Sequence, residues 1–214
     1  MPTPQENKGR KMAYSDFSLS QAQSSFNLTL DETVNLFNNV SPVSPSEILK
    51  TILTDYVPLA TSVGTEKARS ELIIAPILVE LRKLLSNKIS FFSGNEFNVD
   101  ATKGLQGRCD YILSGSREQL FISAPVMFIF EAKKEDIIGG LGECVAAMVA
   151  AQLFNQAKGN EVKRIHGSVT SGTTWKFLFI EDSTVYIDSV EYYIKEVDKI
   201  LGILLQAFDP FLKE

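Results

Sequence analysis

The run Val126-Met127-Phe128-Ile129-Phe130 is apolar for five residues and then breaks into Glu131-Ala132-Lys133-Lys134. Such a run reads as a buried strand, so the rest of the chain must supply neighbours that keep it from water. Alternation along a strand puts Glu131 and Lys133 on one face and Ala132 on the other. An acid and a base side by side at the mouth of a buried strand cost desolvation energy, and they call for a partner charge, a metal or a substrate. A second strand-like stretch, Gly107-Arg108-Cys109-Asp110-Tyr111-Ile112-Leu113, adds another carboxylate. These residues form the primary candidate site.

The cover for that strand is legible on both sides. With 214 residues and 44% hydrophobic content, the chain can bury a substantial core as one domain with an N-terminal extension. Residues 1–25, rich in Gln, Ser, Asn and Lys, are expected to be a flexible lead-in. Residues 26–214 are expected to form a single α/β domain. Within it, 26–60 reads as a helical cover, with helices over Leu28–Asn39 and Ser46–Tyr56 around Pro42 and Pro45. A longer helix follows from Thr65 to Leu85, where Ile74, Ile77, Leu78, Leu81 and Leu85 make one apolar stripe. Glu71 extends the stripe at its N-terminal end, either as a helix-start acid complementing the macrodipole or as a functional group. Glu66, Glu80 and Lys83 fall off the stripe, and Pro76 should bend the helix or free a carbonyl.

Short strands are then expected at Ile89–Phe92, Glu96–Val99, Arg108–Leu113, Gln119–Ile122 and Val126–Glu131. After Gly139-Gly140, Leu141–Ala157 reads as a helix with Leu141, Val145 and Met148 on one face and alanines permitting close packing. Gln152 continues that face four residues after Met148, to hydrogen-bond the sheet or to approach Glu131 and Lys133. Arg164–Thr170 is expected to lie parallel to the Val126 strand, because one helix separates them. Residues 171–214 read as hairpin strands, Thr174–Ile180 and Thr184–Ile187, and a C-terminal helix to Phe208 opened by an Asp188/Glu191 capping box.

In this order (helix, three strands, helix, strand) the chain resembles the PD-(D/E)xK nuclease superfamily, whose αβββαβ core carries an Asp, a spacer, then an acid, any residue and Lys. The marks here are Asp110 and Glu131-Ala132-Lys133, separated by 20 residues, and the resemblance covers about 65–170. It implies a restriction-endonuclease-like α/β fold with a mixed central sheet, and a nuclease hydrolysing phosphodiester bonds of DNA or RNA. Asp110, Glu131 and the Ala132 carbonyl would hold Mg²⁺ or Mn²⁺, and Lys133 would be the catalytic lysine. Glu71 would match the family's acid on the first helix, and Gln152 its polar residue on the second. Carboxylate and carbonyl oxygens are the hard donors those cations prefer. Cys109 stands where the family often has Pro. The alternative reading is a non-catalytic binding or assembly module on the same fold.

The formal charge of −5 excludes a globally basic nucleic-acid surface, so contact with nucleic acid is expected to be local. Two cysteines, Cys109 and Cys144, exclude a disulfide framework, and a cytoplasmic setting is expected. No window is expected to approach the roughly 18 apolar residues of a membrane span. A homodimer would let two sites address two strands. Cys109, Cys144 and His166 lack the paired spacing of a zinc site. His166, the sole histidine, reads as a satisfied sheet residue rather than a base. The hydroxyl-rich Ser168–Lys176 hairpin could touch phosphates and stack a base on Trp175, although an ordinary hairpin with Thr-rich strands and a core Trp is the favoured reading. Lys134, on the opposite face from Lys133, is a surface charge or a phosphate contact.

Overall fold

A computed structural model describes residues 12–209. A 3-10 turn at Tyr14–Asp16 leads into helix α1 (Leu19–Phe26), capped by Ser18, whose hydroxyl accepts from the Gln21 amide while Gln21 accepts from the Ser18 amide. Strand β1 (Thr29–Asp31) follows, then helix α2 (Glu47–Val63), which ends where Gly64 takes a left-handed conformation at φ 69°. The next helix has three pieces: α3 (Glu66–Arg69), a π-helical turn over Ser70–Ile74, and α4 (Ala75–Leu84). Pro76 has no amide to offer the preceding turn, and the widened turn ahead of it, where the Ala75 amide reaches the Ser70 carbonyl, absorbs the mismatch.

Strands β2 (Ser90–Glu96), β3 (Arg108–Ser114) and β4 (Val126–Ala132) form an antiparallel meander. Helix α5 (Ile137–Ala157) then crosses to β5 (Arg164–Thr170), which pairs parallel to β4 from Phe128–His166 to Ala132–Thr170. Strands β6 (Thr174–Glu181) and β7 (Thr184–Ile187) continue antiparallel, β8 (Tyr192–Tyr193) pairs with β6, and α6 (Val197–Gln206) follows. The result is a mixed eight-stranded sheet in the order β1-β7-β6-β5-β4-β3-β2, with β8 alongside β6.

Helices cover both faces. On one, α1 and α5 bury Phe17, Ala22, Val145 and Met148 against Ile112, Ile129 and Leu178. On the other, α2, α4 and α6 bury Leu49, Ile77, Leu81 and Leu204 against Phe128, Phe130 and Phe177. Every residue of β4 is buried, as its apolar run requires, and the rings of Phe128 and Phe130 stack at 4.2 Å. Burial of each such ring contributes roughly 1.5–3 kcal/mol. Glycines set two close approaches: a side chain at Gly167 would strike Met148 and Cys144 of α5, and one at Gly142 would strike the backbone of Phe17 and Ser18.

Several expectations are corrected. Residues 1–11 lie outside the described residues, but 12–25 are not a loose lead-in: Tyr14 and Phe17 are buried, and the Tyr14 hydroxyl donates to the Phe97 carbonyl at 2.6 Å. Tyr14, Phe17 and Ala22 there point inward, although Met12 is exposed, and composition averages conceal so few anchoring side chains. Leu28–Asn39 is not a helix; β1 adds to the sheet edge beside β7 and turns follow it. Ile89–Phe92 and Glu96–Val99 are not two strands: β2 runs on from Ser90 through Gly94, which has φ 68°, and ends at Glu96, leaving Phe97–Val99 outside the strand. Gln119–Ile122 is a loop anchored by the Gln119 side chain to the backbone of Phe91. Helix α5 starts at Ile137, before the glycine pair, because Asp136 caps the Gly139 amide. At 21 residues it is also long and apolar enough to cross a membrane, contrary to expectation, and two-thirds of its most apolar window is buried inside the fold. Asp188 does not open the last helix; its buried carboxylate accepts from the amides of Leu36 and Val190 and from the Tyr192 hydroxyl. Glu80, although off the α4 stripe, is buried and accepts from the Ser46 amide and hydroxyl, joining α4 to the start of α2.

Candidate active site

The antiparallel ladder between β3 and β4 ends at Tyr111–Phe130. Beyond it the strands part, and the Asp110 carboxylate bridges the gap by accepting the Ala132 amide at 2.7 Å. The β4–β5 ladder continues further, with the Lys133 amide donating to the Thr170 carbonyl at 2.9 Å. The backbone on both sides of Glu131 and Lys133 is therefore fixed, and the two side chains leave the same face. Lys133 Nζ lies 2.6 Å from Glu131 Oε1 and 2.9 Å from Glu143 Oε2.

Glu143 is the residue that strand reasoning missed. It comes from the first turns of α5, and Gly140, one turn earlier, makes the contact feasible. A Cβ at Gly140 would sit 2.7 Å from Val169 Cγ1 and 3.0 Å from Lys133 Cε, so only glycine lets the lysine chain lie along the helix. A sequence signal existed: Glu143 is the one charged residue between Ile137 and Ala157.

The electrostatics are those of a crowded acidic site. Burial raises the Asp110 pKa, opposed by the Ala132 amide. Burial also holds Glu131 well above the usual carboxylate range, reinforced by the charges of Asp110 and Glu143 and opposed by Lys133. Burial by itself would lower the Lys133 ammonium, yet Glu131 and Glu143 outweigh it and raise it above an ordinary lysine. Two carboxylates thus contact one ammonium and a third, Asp110, adds its charge nearby, an excess of negative charge in a partly dry place that favours a retained proton or an added cation. Among the described residues, no group of three or more His, Cys, Asp or Glu side chains is already arranged to hold a metal ion. The donor set suits Mg²⁺ or Mn²⁺ in charge and in oxygen chemistry; Lys133 occupies the space between two of its carboxylates.

Not every expected residue joins. Glu71 is exposed and pairs with Lys67 at 3.7 Å, because the π-turn rotates it off the buried stripe. Gln152 donates to the Asp182 carbonyl at 3.1 Å, and helical rise over the nine positions from Glu143 carries it roughly 13 Å along α5, away from Lys133. Ala132 contributes its amide to Asp110. Glu66 lies near enough for its charge to act on Asp110.

The weaker candidates resolve as packing. Cys109 and Cys144 are buried, unpaired thiols on the α5 side, whereas the His166 ring packs between Phe128 and Phe179 at 5.8 and 5.9 Å on the other side. They do not converge on a zinc ion. Trp175 is fully buried, donates to the Gly172 carbonyl at 2.9 Å and meets Phe130 edge-on, so it presents no stacking platform. Lys134 is exposed in the bend that follows β4. No protein-family model matches this chain, and no curated protein matches it significantly.

Proposed function

We propose that the protein is a metal-dependent phosphodiesterase acting on DNA or RNA, built on a restriction-endonuclease-like core of the PD-(D/E)xK kind. The observation that carries this reading is the seating of the Lys133 ammonium between Glu131 and Glu143, with the Asp110 carboxylate, anchored on the Ala132 amide, close enough for its charge to act on Glu131. The order of elements from α3 through β5 (helix, three antiparallel strands, helix, parallel strand) supports the same reading.

Asp110 and Glu131, with the Ala132 carbonyl, would hold Mg²⁺ or Mn²⁺. When bound, such an ion lowers the pKa of its water and screens charge developing at phosphorus. Lys133, held protonated by its two carboxylates, serves as a hydrogen-bond donor rather than a base. It orients the attacking water or stabilises negative charge on the phosphate oxygens. Glu143 positions that ammonium, and burial of Glu131 excludes competing water from one side of the site. Neither Glu71 nor Gln152 has a part in this chemistry.

The test is cleavage of plasmid, linear and single-stranded DNA and of RNA with Mg²⁺ or Mn²⁺. Cleavage is expected, with loss in Lys133→Ala; intact substrates in every case would overturn the reading. A binding or assembly module is the second reading, favoured by the seating of Lys133 between Glu131 and Glu143, where it neutralises them without any cation. Calorimetry showing no Mn²⁺ binding that depends on Asp110 would select it.

A further inference from the structure

Beside the candidate site, a groove of about 380 Å³ runs between the end of α3, the β5–β6 turn and the start of α5. Its part-buried charge is Arg69, whose Nη1 donates to the Ser171 carbonyl at 3.2 Å and to the Thr173 hydroxyl at 3.0 Å. Both partners are neutral. The Arg69 Nε is buried with no hydrogen-bond partner, and no carboxylate among the described residues pairs with the guanidinium. An always-charged group half withdrawn from water on neutral acceptors carries an unmet demand for an anion. With Nη1 committed and Nε buried, Nη2 is the donor left to meet a phosphate oxygen.

The position is as informative as the charge. Ser171 follows Thr170, whose carbonyl receives the Lys133 amide, and Arg69 lies one turn after Glu66, whose charge reaches Asp110. Lys134, exposed at the same groove, supplies a further donor, and the Ser171 and Thr173 hydroxyls, hydrogen-bonded to each other at 3.1 Å, leave one proton between them to donate. Glu135, Asp136 and Glu191 also line it, and Asp136 is engaged in capping the Gly139 amide. The local field is therefore mixed, so an anion would be held by directed hydrogen bonds rather than by a basic surface. That is consistent with the overall charge of −5.

We propose that Arg69, with Thr173 and Lys134, binds a phosphate of the nucleic-acid strand next to the bond addressed by Lys133. The proposal rests on the hydrolytic reading of the neighbouring carboxylates and specifies how the strand would be gripped. The bland alternative, in which Arg69 only ties α3 to the β5–β6 turn, makes a different prediction for salt.

The experiment is fluorescence anisotropy of labelled single-stranded oligonucleotides, 5′-phosphorylated and 5′-hydroxyl, in Ca²⁺ over a salt series. The proteins are wild type, Arg69→Gln and Arg69→Lys, with thermal melts to confirm folding. Arg69→Gln is expected to bind roughly tenfold more weakly, as for a lost charge-assisted hydrogen bond. The slope of log K against log salt should become shallower by about 0.7 for one lost phosphate contact on a single strand. Arg69→Lys keeps the charge without the guanidinium and should retain the slope with reduced affinity. A loss seen with both oligonucleotides assigns an internal phosphodiester; a loss confined to the phosphorylated one assigns a terminal phosphate. Unchanged affinity and slope in Arg69→Gln would overturn the subsite while leaving the nuclease reading intact if wild type still cleaves with Mn²⁺. Weakened binding in a protein that does not cleave would keep the subsite and sink the hydrolytic reading. A wild type that binds no oligonucleotide overturns both.

Discussion

Lys133, at the end of β4, and Glu143, in α5, are joined at 2.9 Å although they belong to different elements. The contact holds the ammonium over the point where β3 and β4 separate, with Glu131 on its other side at 2.6 Å. Glu143 therefore acts on any chemistry through Lys133.

Glu143→Gln preserves volume and an acceptor while removing the charge. Cleavage is expected to fall roughly 10- to 100-fold, the usual cost of losing a group that orients a reacting one. The pH–rate profile should shift too, because the lysine pKa loses one of the two charges that raise it. Adding Lys133→Met to this variant should cost little more than Lys133→Met by itself. Additive losses would show that Glu143 works independently.

The acidic crowding predicts how metal and pH interact. In the folded protein Glu131 titrates above its ordinary 4.5, so the stability contributed by its proton is complete below about that pH and drains as pH rises through the elevated value. A cation replaces the proton and should help most where the proton is gone. Mn²⁺ is expected to raise the melting temperature more at pH 8.5 than at pH 6. Asp110→Asn, which keeps an oxygen acceptor for the Ala132 amide, should fold and lose that response. A Mn²⁺ effect equal at both pH values, or retained in Asp110→Asn, argues against a shared carboxylate site.

His166 gives the opposite sign. Burial, then the Arg164 charge, lowers its pKa to about 4 from the ordinary 6.5. Between those values the unfolded chain binds the extra proton, so stability is complete above about 6.5 and is lost as pH falls towards 4. The contribution is about 2–3 kcal/mol by pH 4.5. Urea unfolding of His166→Phe, whose ring can keep the stack on Phe128 and Phe179, should lose that much less stability between pH 7 and 4.5 than wild type. Parallel losses in the two proteins would show that another group is responsible.

Gly142→Ala tests whether the N-terminal segment belongs to the fold. Its new methyl would meet the backbone of Phe17 and Ser18, which cannot give way as a side-chain tip would. Destabilisation of about 1–3 kcal/mol is expected. Hydrogen exchange should rise at Ala22, buried under α5 contacts, while β4 amides remain protected. Unchanged exchange at Ala22 would mean that α1 docks independently of this contact.

The apolar run Val126–Phe130 and the break after it were sufficient to locate a buried strand and to put Glu131 and Lys133 together, because alternation in a strand is a local property of the backbone. The helix-separated spacing of β4 and β5 likewise implied their parallel pairing, since a crossover connection leaves little choice. Helical register predicted less well. Glu71 lay on a stripe at 3.6-residue spacing, but the π-turn before Pro76 inserted an extra residue and turned it outward. Gln152 shared a face with Met148, yet position along an axis is not encoded in angular spacing, and it bonds Asp182 instead. Composition misjudged residues 12–25, where a few apolar side chains suffice once α5 provides a surface for them. Glu143 meeting Lys133, Arg69 reaching the β5–β6 turn and Asp110 capping the Ala132 amide all depend on how helices and strands pack against one another. Packing is set by the summed shape of both sheet faces, including the absent side chains of Gly140 and Gly142. Local periodicity therefore placed the acid and the lysine on one strand, and only the tertiary structure gave them their third partner.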